Sequence, residues 1–267
     1  MDARLSPTAT RAAAAFLAAH RRAGTPLDHL PAELVPPTID DAYRVQLALH
    51  AALTDERGPR GGWKIGCTTP VMQAYLGIDT PSAGTLYART IHHGHGTFPT
   101  GRNRLGVECE LAVRLGTDLV GPPAHDPSAV RDAVAAVMAA IEIVEDRYVH
   151  YPALDAGTLV ADDFFGAAAV LGPERTDWHD LDLRTVTATM AINGREVGRG
   201  TGRDILGDPL SALTWLAATA DDLGAPLRAG HVVLLGSLVQ TNWVTAGDEV
   251  VIRNDPLGTA TASFVAP

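Results

Sequence analysis

Residues 105–115 read Leu-Gly-Val-Glu-Cys-Glu-Leu-Ala-Val-Arg-Leu, so that Val107, Cys109, Leu111, Val113 and Leu115 alternate with Glu108, Glu110, Ala112 and Arg114. A period of two is that of a β-strand with two chemically different faces. It demands a sheet covered on its apolar side, and it sets Glu108 and Glu110 together on the other. The plain reading of Glu-x-Glu is the polar face of an amphipathic strand. Here, however, the neighbours on that face are small or apolar, and Glu142 lies in a second apolar strand-like run, residues 141–144. Three carboxylates among apolar strands point to a cation, and oxygen-only ligation suits Mg²⁺, Mn²⁺ or Ca²⁺ better than zinc. The pattern alone leaves both readings open.

Upstream, Ser6-Pro7 caps an alanine-rich helix through residue 22 that Gly24 closes, and Thr38 caps a second helix to about residue 55, with Ala42, Val45, Leu49 and Leu53 at helical spacing. Two helices without a sheet build little core. Residues 1–57 are therefore expected to form a helical region set on a β-rich body, residues 58–267, or on a neighbouring subunit. A short strand at 63–67 carries Lys64 between Trp63 and Ile65; it either snorkels to water or meets carboxylates in a site. A helix at 70–76 and a turn at 81–85 follow. Strand-like sequence then runs from Tyr87 to Phe98, where His92, His93 and His95, interleaved with Gly94 and Gly96, read as an exposed hairpin end rather than a metal cluster.

Asp126-Pro127 starts a helix with Val130, Val134, Val137 and Met138 on one face, running into the Glu142 strand. Residues 146–159 are loop-like. Residues 160–166 bring Asp162 and Asp163 against Phe164 and Phe165, with Asp162 either a further site carboxylate or a cap. Beyond Gly172-Pro173 the pattern is β: a strand to Ile192, a hairpin at Asn193-Gly194, and strands at 232–235, 239–244, 249–253 and 259–265, interrupted by one helix at 209–223. The class is α+β.

With 267 residues, 46% hydrophobic and 19% charged, the chain is globular and long enough for a large core. A net charge of −10 without a basic stripe excludes a nucleic-acid partner, and an anionic substrate would need a local cation. Cys67 and Cys109 lack CxxC spacing and read as buried thiols of a reducing compartment, the cytoplasm. Asp2, Arg21 and Arg22 around the alanine run, with no cleavage-type sequence, argue against export. No apolar run reaches membrane-spanning length, so no membrane partner is expected.

Residues 63–69 (Trp-Lys-Ile-Gly-Cys-Thr-Thr), 106–112 (Gly-Val-Glu-Cys-Glu-Leu-Ala), 140–144 (Ala-Ile-Glu-Ile-Val) and 159–163 (Leu-Val-Ala-Asp-Asp), extended by 198–216 and 227–241, together resemble one family. It is the 2-keto-4-pentenoate hydratase and 4-oxalocrotonate decarboxylase branch of the fumarylacetoacetate hydrolase superfamily. The resemblance implies a mixed β-roll with a small N-terminal helical region, and a divalent metal, Mg²⁺ first and Mn²⁺ second, held by Glu108, Glu110 and Glu142. It further implies Lys64 and Asp162 as catalytic residues, Lys64, Gly84 and Leu86 in substrate binding, and a homo-oligomer, with a complex with a pathway decarboxylase or hydratase as a further option.

The activity implied first is addition of water to a short 2-hydroxy-2,4-dienoate, giving a 4-hydroxy-2-oxo acid. Decarboxylation of a 2-oxo dioic acid on the same metal platform is the alternative. C–C bond hydrolysis ranks lower because no Glu-His pair stands near Lys64, and a non-catalytic partner subunit ranks lower because all three carboxylates are kept. Three positions depart from the branch: Ser82 stands where its hydratases carry an aspartate, Phe165 where they carry a serine, and Leu105-Gly106 where Pro-Arg is usual. A serine without a neighbouring base is no general base, so proton handling differs here.

Overall fold

The computed structural model describes residues 4–267; Asp2, used above against export, lies outside them. Helix α1 (Pro7–Ala23) begins at Ser6, whose hydroxyl accepts the Ala9 N–H at 3.1 Å, and ends at Gly24 in the left-handed conformation, φ 61°. Helix α2 (Ile39–Arg57) is capped by Thr38, which accepts the Asp41 N–H. Both bury the faces their spacing specifies, Ala13, Ala14, Leu17 and Ala18 in α1 and Ala42, Val45, Leu49 and Leu53 in α2. Strand β1 (Arg60–Gly66), helix α3 (Pro70–Leu76), and strands β2 (Ser82–Tyr87), β3 (Ile91–His93), β4 (His95–Pro99) and β5 (Arg104–Leu115) follow. Then come α4 (Pro127–Asp132), β6 (Val134–Asp146), α5 (Ala156–Ala161), β7 (Gly166–Leu171), β8 (Thr187–Ile192), β9 (Arg195–Thr201), α6 (Pro209–Asp222), β10 (Val232–Val244), β11 (Glu249–Asp255) and β12 (Gly258–Val265).

The strands form two sheets. One has the order β2-β1-β10-β5-β6-β7-β3 and the other β4-β12-β11-β8-β9. The larger sheet curls until β2 lies against β7, which makes it partly barrel-like. Its inner face follows from the register. Opposite β5, Glu108 faces Glu142, Glu110 faces Ala140 and Ala112 faces Met138 on β6; on the other side of the sheet, Lys64 of β1 faces Gly84 of β2. Towards one end that face is apolar, with Leu86, Ala112, Met138, Ala140, Leu171 and Leu234 in one buried cluster. Towards the other it carries Lys64 and the three glutamates. The outer face of β5, with Val107, Cys109, Leu111 and Val113, belongs to the main core together with Met190, Ile252 and Phe264 of the second sheet.

Several local expectations are overturned. Residues 81–85 are not a turn, because β2 starts at Ser82 and every residue of it is buried. Gly84 serves close approach instead: a Cβ there would lie 2.9 Å from the Lys64 Cε and 2.9 Å from the Asp163 carbonyl oxygen. The histidine segment is not a hairpin, since β3 pairs parallel to β7 while β4 pairs parallel to β12 in the other sheet. Helix α4 stops at Asp132, and Val134, Val137 and Met138 belong to β6, a strand buried along nearly its whole length. A run apolar on both faces carries no period with which to choose between helix and strand. The segments at 232–235 and 239–244 are one irregular strand, with register shifts between residues 234 and 242.

The N-terminal helices share the main core with the sheets. Gln46 of α2 donates to the Ala83 and Val160 carbonyls at 2.8 and 2.7 Å, and the Tyr43 hydroxyl accepts the Ala83 N–H. Beside Lys64, Gly62 runs so close to β10 that an added Cβ would meet the Val232 carbonyl oxygen at 1.8 Å. Gly62→Ala should therefore part the parallel β1–β10 pair and cost about 3 kcal/mol, the upper range for overpacking, read as a lower urea midpoint. A stability within experimental error of the parent would show that β1 and β10 do not approach this closely.

Candidate metal centre and cavity

Ligand-type oxygens of Glu108, Glu110 and Glu142 lie within 4.8 Å of one another. The pleat of β5 puts the first two on one face, and the β5–β6 register sets Glu142 directly across from Glu108. Glu110 and Glu142 are fully buried and Glu108 is half-buried. The irregularity in β10 turns the Gly236 N–H towards Glu110, to which it donates at 2.6 Å, and Gly236 itself has φ 129°. A bulge beside a site re-aims backbone groups in this way. The Thr241 hydroxyl, further along β10, donates to Glu108.

These contacts leave one Glu110 oxygen, Oε1, with no hydrogen-bond partner, and Glu142 Oε1 with only an ion pair to Lys64 at 3.4 Å. Burial, followed by repulsion from Glu142 and Glu108, holds the Glu110 carboxyl well above the usual range. Burial likewise lifts Glu142, with Lys64 opposing and Glu108 adding, to about 7. Three carboxylates this close ionise together only against an added positive charge. An all-oxygen donor set with unpartnered buried oxygens fits a hard divalent cation.

Lys64 is buried, and its Nζ donates to the Phe164 carbonyl at 2.6 Å. That carbonyl sits on an unusual loop between α5 and β7. Asp163, Phe164 and Phe165 all take left-handed backbone conformations, with φ 56°, 46° and 65°. Each such non-glycine residue costs on the order of 1 kcal/mol or more and persists only where its surroundings enforce it. The surroundings are Arg21, Arg147 and Tyr148. Arg21 donates to both oxygens of the Asp162 residue it can reach, carboxylate Oδ1 and carbonyl O, at 2.7 Å each, and to Asp163 at 3.2 Å. Arg147 donates to the Asp162 carboxylate and carbonyl and to the Gly166 carbonyl, and the Tyr148 hydroxyl donates to Asp162. Burial pushes the Asp162 carboxyl up, but attraction to Arg21 and Arg147 and their hydrogen bonds outweigh it and hold it below the usual carboxylate range.

A cavity of about 410 Å³ opens above Lys64 and Glu108. Its polar lining includes Thr68, Thr69, Asp204, Ser237, Gln240 and Thr241, and its apolar lining includes Met72, Leu76, Val144, Tyr151, Leu159, Phe164, Phe165 and Trp243. Among the described residues that line it, Lys64 is the only cation. Arg104 stacks on Trp243 at 3.7 Å but does not line the cavity.

The structure thus brings Lys64, Glu108, Glu110 and Glu142 together, with Gly84 packed beneath the Lys64 stem. It does not bring in two others. Leu86 points into the inner apolar cluster, and the Asp162 carboxylate is spent on Arg21, Arg147 and Tyr148, away from the cavity. Ser82 is buried with its hydroxyl unpartnered, whereas Phe165 forms part of the wall. Sequence reasoning missed Arg21, Arg147, Tyr151, Gly236 and Thr241. Only Gly236, between two β-patterned runs, carried a local signal, that of a break.

A curled sheet with a three-carboxylate centre on its inner face and a lysine beside it has the donor set of a metal-associated enzyme. The chain belongs to the fumarylacetoacetate hydrolase family: the model of the Fumarylacetoacetate (FAA) hydrolase C-terminal region matches residues 78–265. Within it, the chain stands close to the 2-keto-4-pentenoate hydratase and 4-oxalocrotonate decarboxylase branch. It is 37% identical over 225 residues to a 2-keto-4-pentenoate hydratase of Burkholderia vietnamiensis, covering 84% of this chain and 85% of that one. It is 30% identical over 233 residues to a 4-oxalocrotonate decarboxylase of Pseudomonas putida, covering 85% and 86%. The solved structure of a 4-oxalocrotonate decarboxylase from Pseudomonas putida G7, complexed with magnesium and adipate, superposes with a TM-score of 0.90 at 26% identity over 98% of this chain and 100% of that one.

The raised carboxyls fix the sign of a pH effect. In the metal-free chain, a carboxyl held above its unfolded value favours folding at low pH, and that contribution is lost as pH rises through about 7. A bound cation needs the ionised form and so competes with protons. Mn²⁺ affinity measured by calorimetry should therefore rise from pH 6 to pH 8. Glu110→Gln should lower that affinity at least about tenfold, because a ligand oxygen that can ionise is gone. Unchanged affinity would remove Glu110 from the ligand set.

Proposed function

We propose that this chain is a carboxy-lyase that removes the distal carboxyl group of a short unsaturated 2-oxo dioic acid, 4-oxalocrotonate or a close analogue, with Mg²⁺ or Mn²⁺ at Glu108, Glu110 and Glu142. The observation that carries this reading is the lining of the cavity. Among the described lining residues apolar side chains predominate and no histidine stands there to activate water; the one carboxylate outside the glutamate cluster, Asp204, is solvent-exposed and accepts the Thr201 N–H at 2.7 Å. An apolar wall disfavours a carboxylate and favours uncharged CO₂.

Glu108, Glu110 and Glu142 would hold the divalent cation, which would supply Lewis acidity to a bound 2-oxo acid. The chain's own residues complete the reaction. When the bond to the distal carboxyl breaks, its electron pair moves through the conjugated carbons to the C2 oxygen, leaving a dienolate. Lys64, the one cation among the described residues lining the cavity and held in place by the Phe164 carbonyl, opposes that developing charge and supplies a proton to the oxygen. Phe164, Phe165 and Tyr151 exclude water from the distal carbon.

Hydration of a 2-hydroxy-2,4-dienoate is the second reading, favoured by the identity to hydratases, 37% and 35% for two of them. The solved decarboxylase structure, superposing over 98% of this chain, weighs on the other side. The two separate on a product. With Mg²⁺, the purified protein should release CO₂ from 4-oxalocrotonate, and it should consume 2-hydroxypenta-2,4-dienoate much more slowly. Fast loss of dienoate absorbance without CO₂ from either 4-oxalocrotonate or oxaloacetate would reverse the assignment. Lys64→Met should reduce turnover by roughly 10²–10³, the usual loss for one transition-state donor, and keep Mn²⁺ affinity within a few-fold.

A further inference from the structure

We propose that Arg21, on the last turn of α1, is a positioning residue for this site: it holds the 162–166 loop so that the Phe164 carbonyl fixes Lys64 against Glu142. The inference rests on the reading of Lys64 given above. Arg21 comes from the far end of the chain, yet its side chain is almost wholly buried, and its salt bridges run to Asp162 and Asp163 rather than to any acid of α1 or α2. Its three donors fall on two consecutive residues, at and just before the start of the left-handed run.

The other Asp163 carboxylate oxygen accepts the Thr85 N–H at 3.0 Å, which ties the same residue to β2, the strand that packs beneath Lys64. Every link from α1 to the ammonium group is thus a direct contact. The guanidinium fixes Asp162 and Asp163, these fix the orientation of the next peptide, and its carbonyl holds Nζ at 2.6 Å. Were the role only to anchor α1, an apolar side chain of similar length would serve as well, since buried ion pairs are weak sources of net stability. A forked donor reaching two successive residues sets a loop's geometry, which an apolar side chain cannot do.

Two measurements test this without turnover. First, Arg21→Met should raise hydrogen exchange of the 162–166 amides at least tenfold while leaving residues 107–113 of β5 unchanged. Second, oxalate affinity of the Mn²⁺-loaded protein, measured by calorimetry, should fall about tenfold in Arg21→Met but fall no further when the same change is made in Lys64→Met, because a residue acting through Lys64 has nothing left to position. Arg21→Lys, which keeps the charge and loses the fork, should fall between. Should Arg21→Met not fold, Tyr148→Phe, which removes one donor from Asp162 and keeps the ring, is read the same way with a loss of about threefold.

Equal losses in both Lys64 backgrounds, or unchanged exchange in the loop, would overturn the proposal. Oxalate affinity is indifferent to whether the enzyme hydrates or decarboxylates, so failure to release CO₂ would sink the carboxy-lyase reading and leave the Arg21 result standing.

Discussion

The interaction on which the rest depends is repulsion among three carboxylates that the sheet forces together. Glu108 and Glu110 share a face because a strand has period two, and Glu142 joins them because antiparallel pairing sets it opposite Glu108. Water would ordinarily screen such a cluster, but Glu110 and Glu142 have none at their surface. The neighbouring structure supplies what is missing: an N–H from a bulge in β10, a hydroxyl from Thr241 and the Lys64 ammonium. That is less than the positive charge three ionised groups require, and the raised Glu110 and Glu142 carboxyls express the shortfall. A divalent cation is the complement that the donor set fits.

A second charged cluster behaves in the opposite way. Asp162 and Asp163 are as deeply buried as the glutamates, but two arginines and a tyrosine meet them at hydrogen-bonding distance, and Asp162 ends below the usual carboxylate range. One cluster is left short of positive charge, and its Glu108 lines the cavity of about 410 Å³; the other is neutralised, and Arg21, Arg147 and Asp162 border only a small pocket of about 60 Å³. The first suits a ligand, whereas the second suits a clamp, and it clamps three successive left-handed residues that no local preference would produce. The two clusters meet at Lys64, which the loop holds by a carbonyl and which faces the first cluster through Glu142.

The ligand side of the site was legible because it rests on short-range geometry. Alternation around Glu108 and Glu110, an apolar context for Glu142 and a lysine between Trp63 and Ile65 are local facts, and the ordered strings of the family resemblance bound them together. Failures came where burial erased the period. Val134, Val137 and Met138 fit a helical face and a strand equally well when both sides are covered, and the small residues of β2 mimic a turn when their smallness in fact lets Lys64 pack over Gly84. Asp162 could be read only as a further site carboxylate or a cap, because nothing local reveals that Arg21 and Arg147 converge on it.

By itself, the sequence determined the α+β class, the faces of α1 and α2 and the Asn193-Gly194 hairpin, since each follows from a period or a cap within a few residues, and it offered Lys64, Glu108, Glu110 and Glu142 as candidates through the family resemblance. Only the tertiary structure decided that Leu86 fills the interior, that Asp162 belongs to a clamp, and that the cavity beside Lys64 and Glu108 is lined mainly by apolar side chains among its described residues. The physical reason is that these are properties of separation in space. Arg21 and Asp162 stand 141 residues apart in the chain, and Phe165 and Met72 come to one wall only when β7 and α3 are in place. The Glu108–Glu110 pair could be read from two turns of a pleat, but what the pair faces depended on how the whole sheet curled.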